Sequence, residues 1–307
     1  MTSLIEQATL RLEQLRKAGV SMPDFAPASK KESALELDAS DRRPEQSKVE
    51  RPAQTVVSRR VEIDLEALSA AGIVSPNAPR SQIADQFRVI KRPLISNAQG
   101  KGPATVANGN LIMVTSALAG EGKSFTAINL AMSIATELDT TVLLVDADVA
   151  RPSVLRVLGL PPSPGLLDLV LDESCEMSSV LLRTNIEKLS ILPSGTPHVR
   201  ATELLASDAM IKLLENIATR YADRIVIFDS PPLLLTTESR VLATHMGQIV
   251  MVVKAESTLQ ADVRHALAHI ESCPVKLLVL NQARSTSQGT YGYGYGYGYG
   301  SQEQEAQ

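Results

Sequence analysis

The chain has no tryptophan, only two cysteines and no long apolar run, and each shortage excludes a class of protein. Cys175 and Cys273 are too few for a disulfide framework and stand apart from other soft ligands. Neither a disulfide-stapled scaffold nor a zinc site fits them, whereas buried thiols in a reducing compartment do. The longest apolar bursts, such as VLLV at 142–145 and IVMVV at 249–253, fall far below the roughly 18 residues needed to span a bilayer. The first twenty residues carry Glu6 and Glu13 and lack the apolar stretch of a secretory signal. The expectation is a soluble, cytoplasmic protein, peripheral at the inner face of the membrane only through a partner. Basic excess is missing too: 30 Lys and Arg against 34 Asp and Glu leave a net charge of −4, which argues against nucleic acid as a partner. Aromatic residues make up 3% of the chain, and five of the six tyrosines crowd into one C-terminal stretch where no core can use them.

What remains is organised in blocks. Residues 1–20 place Ile5, Ala8, Leu12 and Leu15 at helical spacing, an amphipathic docking or packing helix. Residues 21–60 lose periodicity; with 15 charged residues and four prolines they are predicted to be a disordered linker. Residues 61–109 form a helical lead-in: IDLEALSAAG at 63–72, then a helix over 81–92 with Ser81 as N-cap, Ile83, Phe87 and Ile90 on one face, and Pro93 as its stop. From residue 110 to 284, apolar bursts at 111–115, 142–145, 189–192, 224–228, 249–253 and 276–280 alternate with helix-length stretches. Continuously apolar strands between helices predict a doubly wound α/β domain with a mostly parallel sheet covered on both faces. Residues 285–307 contain five Tyr-Gly pairs, and alternating glycine predicts a flexible tail that presents Tyr291, Tyr293, Tyr295, Tyr297 and Tyr299.

Three segments carry chemistry. Ala117-Leu118-Ala119-Gly120-Glu121-Gly122-Lys123-Ser124 follows a strand and leads into a helix beginning at Phe125. That context suits a phosphate-binding loop, in which backbone N–H groups and the helix N-terminus face phosphate oxygens. Lys123 would reach the outer phosphates as a point charge and the Ser124 hydroxyl would join a magnesium shell. The usual first glycine of the pattern is replaced by Ala117. In the second segment, Val142 to Asp148, Asp146 lies 23 positions beyond Lys123, enough for a helix, a turn and a strand returning beside the first. Asp146 and Asp148 then emerge at the C-terminal sheet edge, where ligands bind. The third, RIVIFDSPP at 224–232, ends an apolar strand in Asp229, a carboxylate near the metal, and its prolines end the ladder.

As a set, these segments and the tyrosine cluster resemble the bacterial tyrosine kinases, the BY-kinase family of P-loop proteins with Walker A, A′ and B motifs. The wording around QFRVIKRPLISNA and the N-terminal SLIEQA is similar to the exosortase-associated tyrosine autokinases of exopolysaccharide clusters. The resemblance implies ATP and magnesium as cofactors and a protein-tyrosine autokinase that phosphorylates its tail between subunits. Carried over by position, it implies Gly120, Glu121, Gly122, Lys123, Ser124, Phe125 and Asn281 at the nucleotide, Ser124, Asp148 and Asp229 at the metal, and Asp146 as proton acceptor with Lys123 as phosphate clamp. The family's DxDxR motif has Ala150 in its arginine slot here, with Arg151 following. Its ExxRxxR helix, which closes subunits into rings, is represented by Asp85, Arg88 and Lys91. Implied partners are further copies of the chain in a ring, a membrane chain-length-determinant polysaccharide co-polymerase, and a tyrosine phosphatase, in the control of exopolysaccharide synthesis and export. Two other readings share the fold: a switch ATPase of the chromosome-partitioning and division-site type, and a non-catalytic nucleotide-binding regulator. Switch ATPases place a lysine where this chain has Leu118 and lack a tyrosine tail. His265 and His269, four apart, have no third ligand nearby in sequence.

Overall fold

The structure, a computed structural model, describes residues 58–76 and 81–284. The amphipathic N-terminal segment, nearly all of the charged linker and the tyrosine tail lie outside the described residues. Helix α1 (Leu65–Ala70) starts where Asp64 Oδ1 accepts from the N–H groups of Glu66 and Ala67, both at 3.0 Å. Helix α2 (Gln82–Ala98) starts at Ser81, whose Oγ accepts from Ala84 N. It does not stop at Pro93 but continues to Ala98. Phe87, Lys91 and Leu94 are buried along one stripe, and this packing outweighs the single helical bond that proline removes. The carbonyl left without that donor belongs to Val89, a residue that is 74% exposed.

Seven strands follow: β1 (Leu111–Ser116), β2 (Thr141–Asp146), β3 (Leu182–Arg183), β4 (Leu189–Leu192), β5 (Arg224–Asp229), β6 (Gln248–Lys254) and β7 (Val275–Asn281). Their order in the sheet is β3-β4-β2-β5-β1-β6-β7, parallel throughout except for the β3–β4 pair. Each predicted strand is present; β3, two residues long, has no periodicity that sequence could reveal. One topological expectation is corrected. β2 does not return beside β1, because β5 lies between them and pairs with both. The linker is corrected at its end: the backbone of residues 59–61 bonds both sides of Arg183, and Val61 and Ile63 are buried in the core.

Alternation along the strands divides the interior in two. Ile112, Val114, Val142, Leu144, Ile225 and Ile227 pack with α1, α2 and helix α3 (Lys123–Ala135). Met113, Leu143, Val145, Val226 and Phe228 pack with α4 (Asp208–Arg220), α5 (Glu238–Thr244) and α6 (Gln260–Ala268). α3 is buried at every position from Thr126 to Ala135, as a helix sandwiched between a sheet and other helices must be. Gln248 fastens α2 to the sheet through bonds to Leu94 O and Asn97 Nδ2, at 3.0 and 2.9 Å. Among the described residues no helix is long and apolar enough to cross a membrane.

Candidate active site

The ends of β1, β2 and β5 bring the three segments together. Asp146 and Asp229 are register partners on adjacent parallel strands, and Val114 is the partner of Asp229 on the other side. Between β1 and α3 the chain turns through Gly120 and Gly122, with φ of 81° and 94°, a region costly for any residue with a Cβ. At Gly122 a Cβ would also meet Asn281 Nδ2 at 2.0 Å. Asn281 donates through that Nδ2 to Glu121 O at 2.9 Å, so the end of β7 braces the loop. Glu121 is a second brace. Its carboxylate accepts from Leu118 N at 2.6 Å and from the Thr258 hydroxyl. The side chain thus points into the protein and does not line the cavity, so the part suggested for Glu121 at the nucleotide falls to its backbone.

The cavity in front of the loop has a volume of about 580 Å³ and is lined by Gly120, Gly122, Lys123, Ser124, Phe125, Asp148, Arg151, Ser153 and Arg156, with Pro231 and Pro232 as a further wall. Those prolines are held in place because Thr115 Oγ1 donates to Pro231 O at 2.9 Å and Ser230 Oγ to Val114 O at 3.0 Å. Lys123 Nζ pairs with Asp148 Oδ2 at 2.7 Å. Ser153 and Arg156 escaped sequence reasoning; their only signal is their place in the RPSVLR segment after the two aspartates. Ser153 Oγ donates to Ser124 Oγ at 2.8 Å, and its backbone N–H, with that of Val154, fixes Asp146 Oδ2 at 3.0 Å.

The carboxylates are buried to different ends. Asp146 is 1% exposed and does not line the cavity; its Oδ1 has no partner among the described residues. Burial pushes its carboxyl up to about 6, against the two backbone N–H groups that favour the charge. Asp229 is fully buried, and neither oxygen has a hydrogen-bond partner among the described residues. Burial, then the neighbouring Asp146 charge, push it up to about 7, with Lys123 opposing. The two orphaned oxygens of Asp229 and the neighbouring Ser124 hydroxyl form an oxygen-only donor set, which fits a small hard cation. Among the described residues no three His, Cys, Asp or Glu converge to cage a metal.

The remaining candidates separate. Asp85 and Arg88 are exposed and pair with each other within α2. Lys91 does not join them at the surface. Its Nζ is buried, donates to Ser133 O and Thr136 Oγ1, and pairs with Glu137 at 2.8 Å, so the oligomerisation role suggested for it is not one this geometry supports. Tyr291 to Tyr299 lie outside the described residues.

An AAA domain family matches residues 109–274. Tyrosine-protein kinase YwqD of Bacillus subtilis (strain 168) is 30% identical over 222 residues, covering 72% of this chain and 90% of YwqD. Succinoglycan biosynthesis transport protein ExoP of Rhizobium meliloti (strain 1021) is 32% identical over 221 residues, 70% of this chain but 27% of its own length. The crystal structure of the chimerical protein CapA2B2 superposes with a TM-score of 0.59 at 28% identity, covering 74% of this chain and 94% of that one.

Proposed function

Since the chain belongs to the bacterial protein-tyrosine kinases, we propose that it transfers the γ-phosphoryl group of ATP to tyrosines of its own C-terminal tail, one subunit acting on another. The observation that carries this reading is the cluster at the ends of β1, β2 and β5, a phosphate loop whose lysine stands 2.7 Å from one aspartate while two others hold unpartnered oxygens. Lys123, held by Asp148 in the absence of substrate, moves to the phosphates when a triphosphate supplies more negative charge. Ser124, Asp148 and Asp229 would hold magnesium, which when bound draws charge from the phosphate oxygens. Asp146 is the proton acceptor. Its Oδ2 is fixed by two N–H groups, its Oδ1 is free, and its carboxyl at about 6 sits closer to neutrality than an ordinary aspartate. Leu118 supports the kinase over a switch ATPase, since its side chain packs on the core and offers no cation to a neighbour's nucleotide.

Asp85 and Arg88, exposed on α2, are the ring contacts proposed. Recruitment by a membrane co-polymerase, reset by a tyrosine phosphatase and control of exopolysaccharide export complete the reading, with ExoP's name as support. The test is to incubate the purified chain with ATP and magnesium and map phosphotyrosine by mass spectrometry. Wild type should gain tail phosphates; Lys123→Met and a truncation before Tyr291 should not. A wild-type tail that stays unmodified even with the membrane partner's cytosolic segment overturns the reading.

A further inference from the structure

On the sheet edge opposite the phosphate loop, where β2 and β5 begin, lies a second cavity of about 620 Å³. Four of its lining residues are cationic, Arg60, Arg183, Lys188 and Arg224, against one carboxylate, Glu187. The fold builds this concentration. Arg60 and Arg183 are bridged through their backbones, and Thr141 and Arg224 are register partners on β2 and β5. Among the described residues, none of the three arginines has a carboxylate within 4.0 Å. The Arg224 guanidinium lies 4.9 Å from the ring centre of Tyr221, which also lines the cavity. Most telling, Arg224 Nε and Thr141 Oγ1 are buried without a hydrogen-bond partner among the described residues. Both atoms are donors of residues that line the cavity, and buried donors call for an acceptor.

We propose that this cavity is a phosphate-monoester site that holds phosphotyrosine of the chain's own Tyr-Gly tail, presented by the same or another copy. The inference rests on the proposed kinase activity, which would make that ligand. A phosphoryl group satisfies the Arg224 fork and the Thr141 hydroxyl and gathers Arg60 and Arg183, while the phenyl ring lies against Tyr221. Nucleotide is not the occupant, because its cradle is at the other ends of the same strands. Reach is sufficient: Tyr299 is 15 residues beyond Arg284, roughly 50 Å of extended chain. Crossing from the end of β7 to the start of β5 takes about 14 Å across the sheet and about 20 Å along it. Unmodified tails would be left for the active site and modified ones retained on the opposite edge.

The test uses the full chain with its five tail tyrosines changed to Phe, so that its own tail cannot compete. A fluorescent peptide of residues 288–302 is titrated by anisotropy in unmodified, tyrosine-phosphorylated and Tyr→Glu forms. The phosphopeptide should bind at least about tenfold tighter than either other form, the worth of one charge-assisted hydrogen bond. Arg60→Ala with Arg183→Ala, both on exposed side chains, should weaken it about tenfold with an unchanged melting curve, and Arg224→Lys should weaken it by removing the fork. Saturating magnesium with a non-hydrolysable ATP analogue should not displace it. Equal binding of the three peptides, no effect of the arginine changes, or displacement by the nucleotide analogue overturns the proposal. Because the phosphopeptide is synthetic, failure here is separate from failure of the kinase reading, which phosphotyrosine mapping decides.

Discussion

Asp229→Asn is expected to stabilise the magnesium-free protein above neutral pH while abolishing phosphoryl transfer. In an unfolded chain an aspartate ionises near 3.9; in the fold, burial and Asp146 push Asp229 up to about 7. Between those values the native state binds a proton that the unfolded state does not. Stability therefore falls as pH rises through that window. From pH 5.5 to 8 the folded group is lost across about 1.5 pH units, a decline of about 2 kcal/mol at 1.36 kcal/mol per unit. Asp146, at about 6, adds less than about 1 kcal/mol over the same range. Asparagine keeps the shape without the charge, so the variant should lose most of the slope and exceed wild type at pH 8. Urea denaturation at pH 5.5 and 8, in EDTA and without nucleotide, measures this. Magnesium should then raise the wild-type midpoint at pH 8 and leave the variant's unchanged. A wild-type midpoint independent of pH, or a variant weaker than wild type at pH 8, would refute the account of Asp229 as a buried, uncompensated carboxylate.

Lys91→Met should cost about 1–3 kcal/mol in thermal or urea unfolding, below the value for a fully buried pair because Glu137 is partly exposed; Arg88→Ala, at an exposed site, should leave monomer stability within about 0.5 kcal/mol. Gly122→Ala should reduce binding of a fluorescent ATP analogue at least about tenfold, because its Cβ collides with Asn281 and its φ of 94° is strained; undiminished binding would show that the loop relaxes freely. Species carrying more tail phosphates should run as smaller assemblies at matched salt, since each phosphate adds about −1.5 to −2 of charge; intact mass against light-scattering size checks this.

The strands and the phosphate loop were legible in the sequence because both are written in local pattern. An apolar burst between helices has few other uses, and Gly120-Glu121-Gly122-Lys123-Ser124 between a strand and a helix is a local signature as well. Lys91 was misread for the opposite reason. Its spacing from Asp85 and Arg88 is helical, but its burial is decided by Ser133, Thr136 and Glu137, more than 40 residues away. The bracing role of the Glu121 side chain was hidden in the same way, since only the fold brings Thr258 to its carboxylate. Pro93 marks a limit of another kind: a local stop signal was overridden by a buried stripe on the same helix. The cationic cavity combines both limits, drawing Arg60, Thr141, Arg183 and Arg224 from four separate segments, one of them within the charged linker.

The insertion of β5 between β1 and β2 connects the fold to the chemistry. Had β2 returned beside β1, as helix length alone allows, Asp146 would neighbour the phosphate loop directly and Asp229 would lie at a flank. Instead β5 is paired on both sides, through Val114 on β1 and Asp146 on β2, and its terminal carboxylate is fully buried. That position removes water from Asp229 and sets its charge against that of Asp146, the two causes that push it up to about 7. Two adjacent buried carboxylates are unfavourable without a counter-charge, and Lys123, the cation that acts on Asp229 among the described residues, is drawn to Asp148. The strand order therefore sets two uncompensated carboxylates side by side at the sheet edge where the phosphate loop ends, and this is what makes a divalent cation the counter-charge proposed for the site.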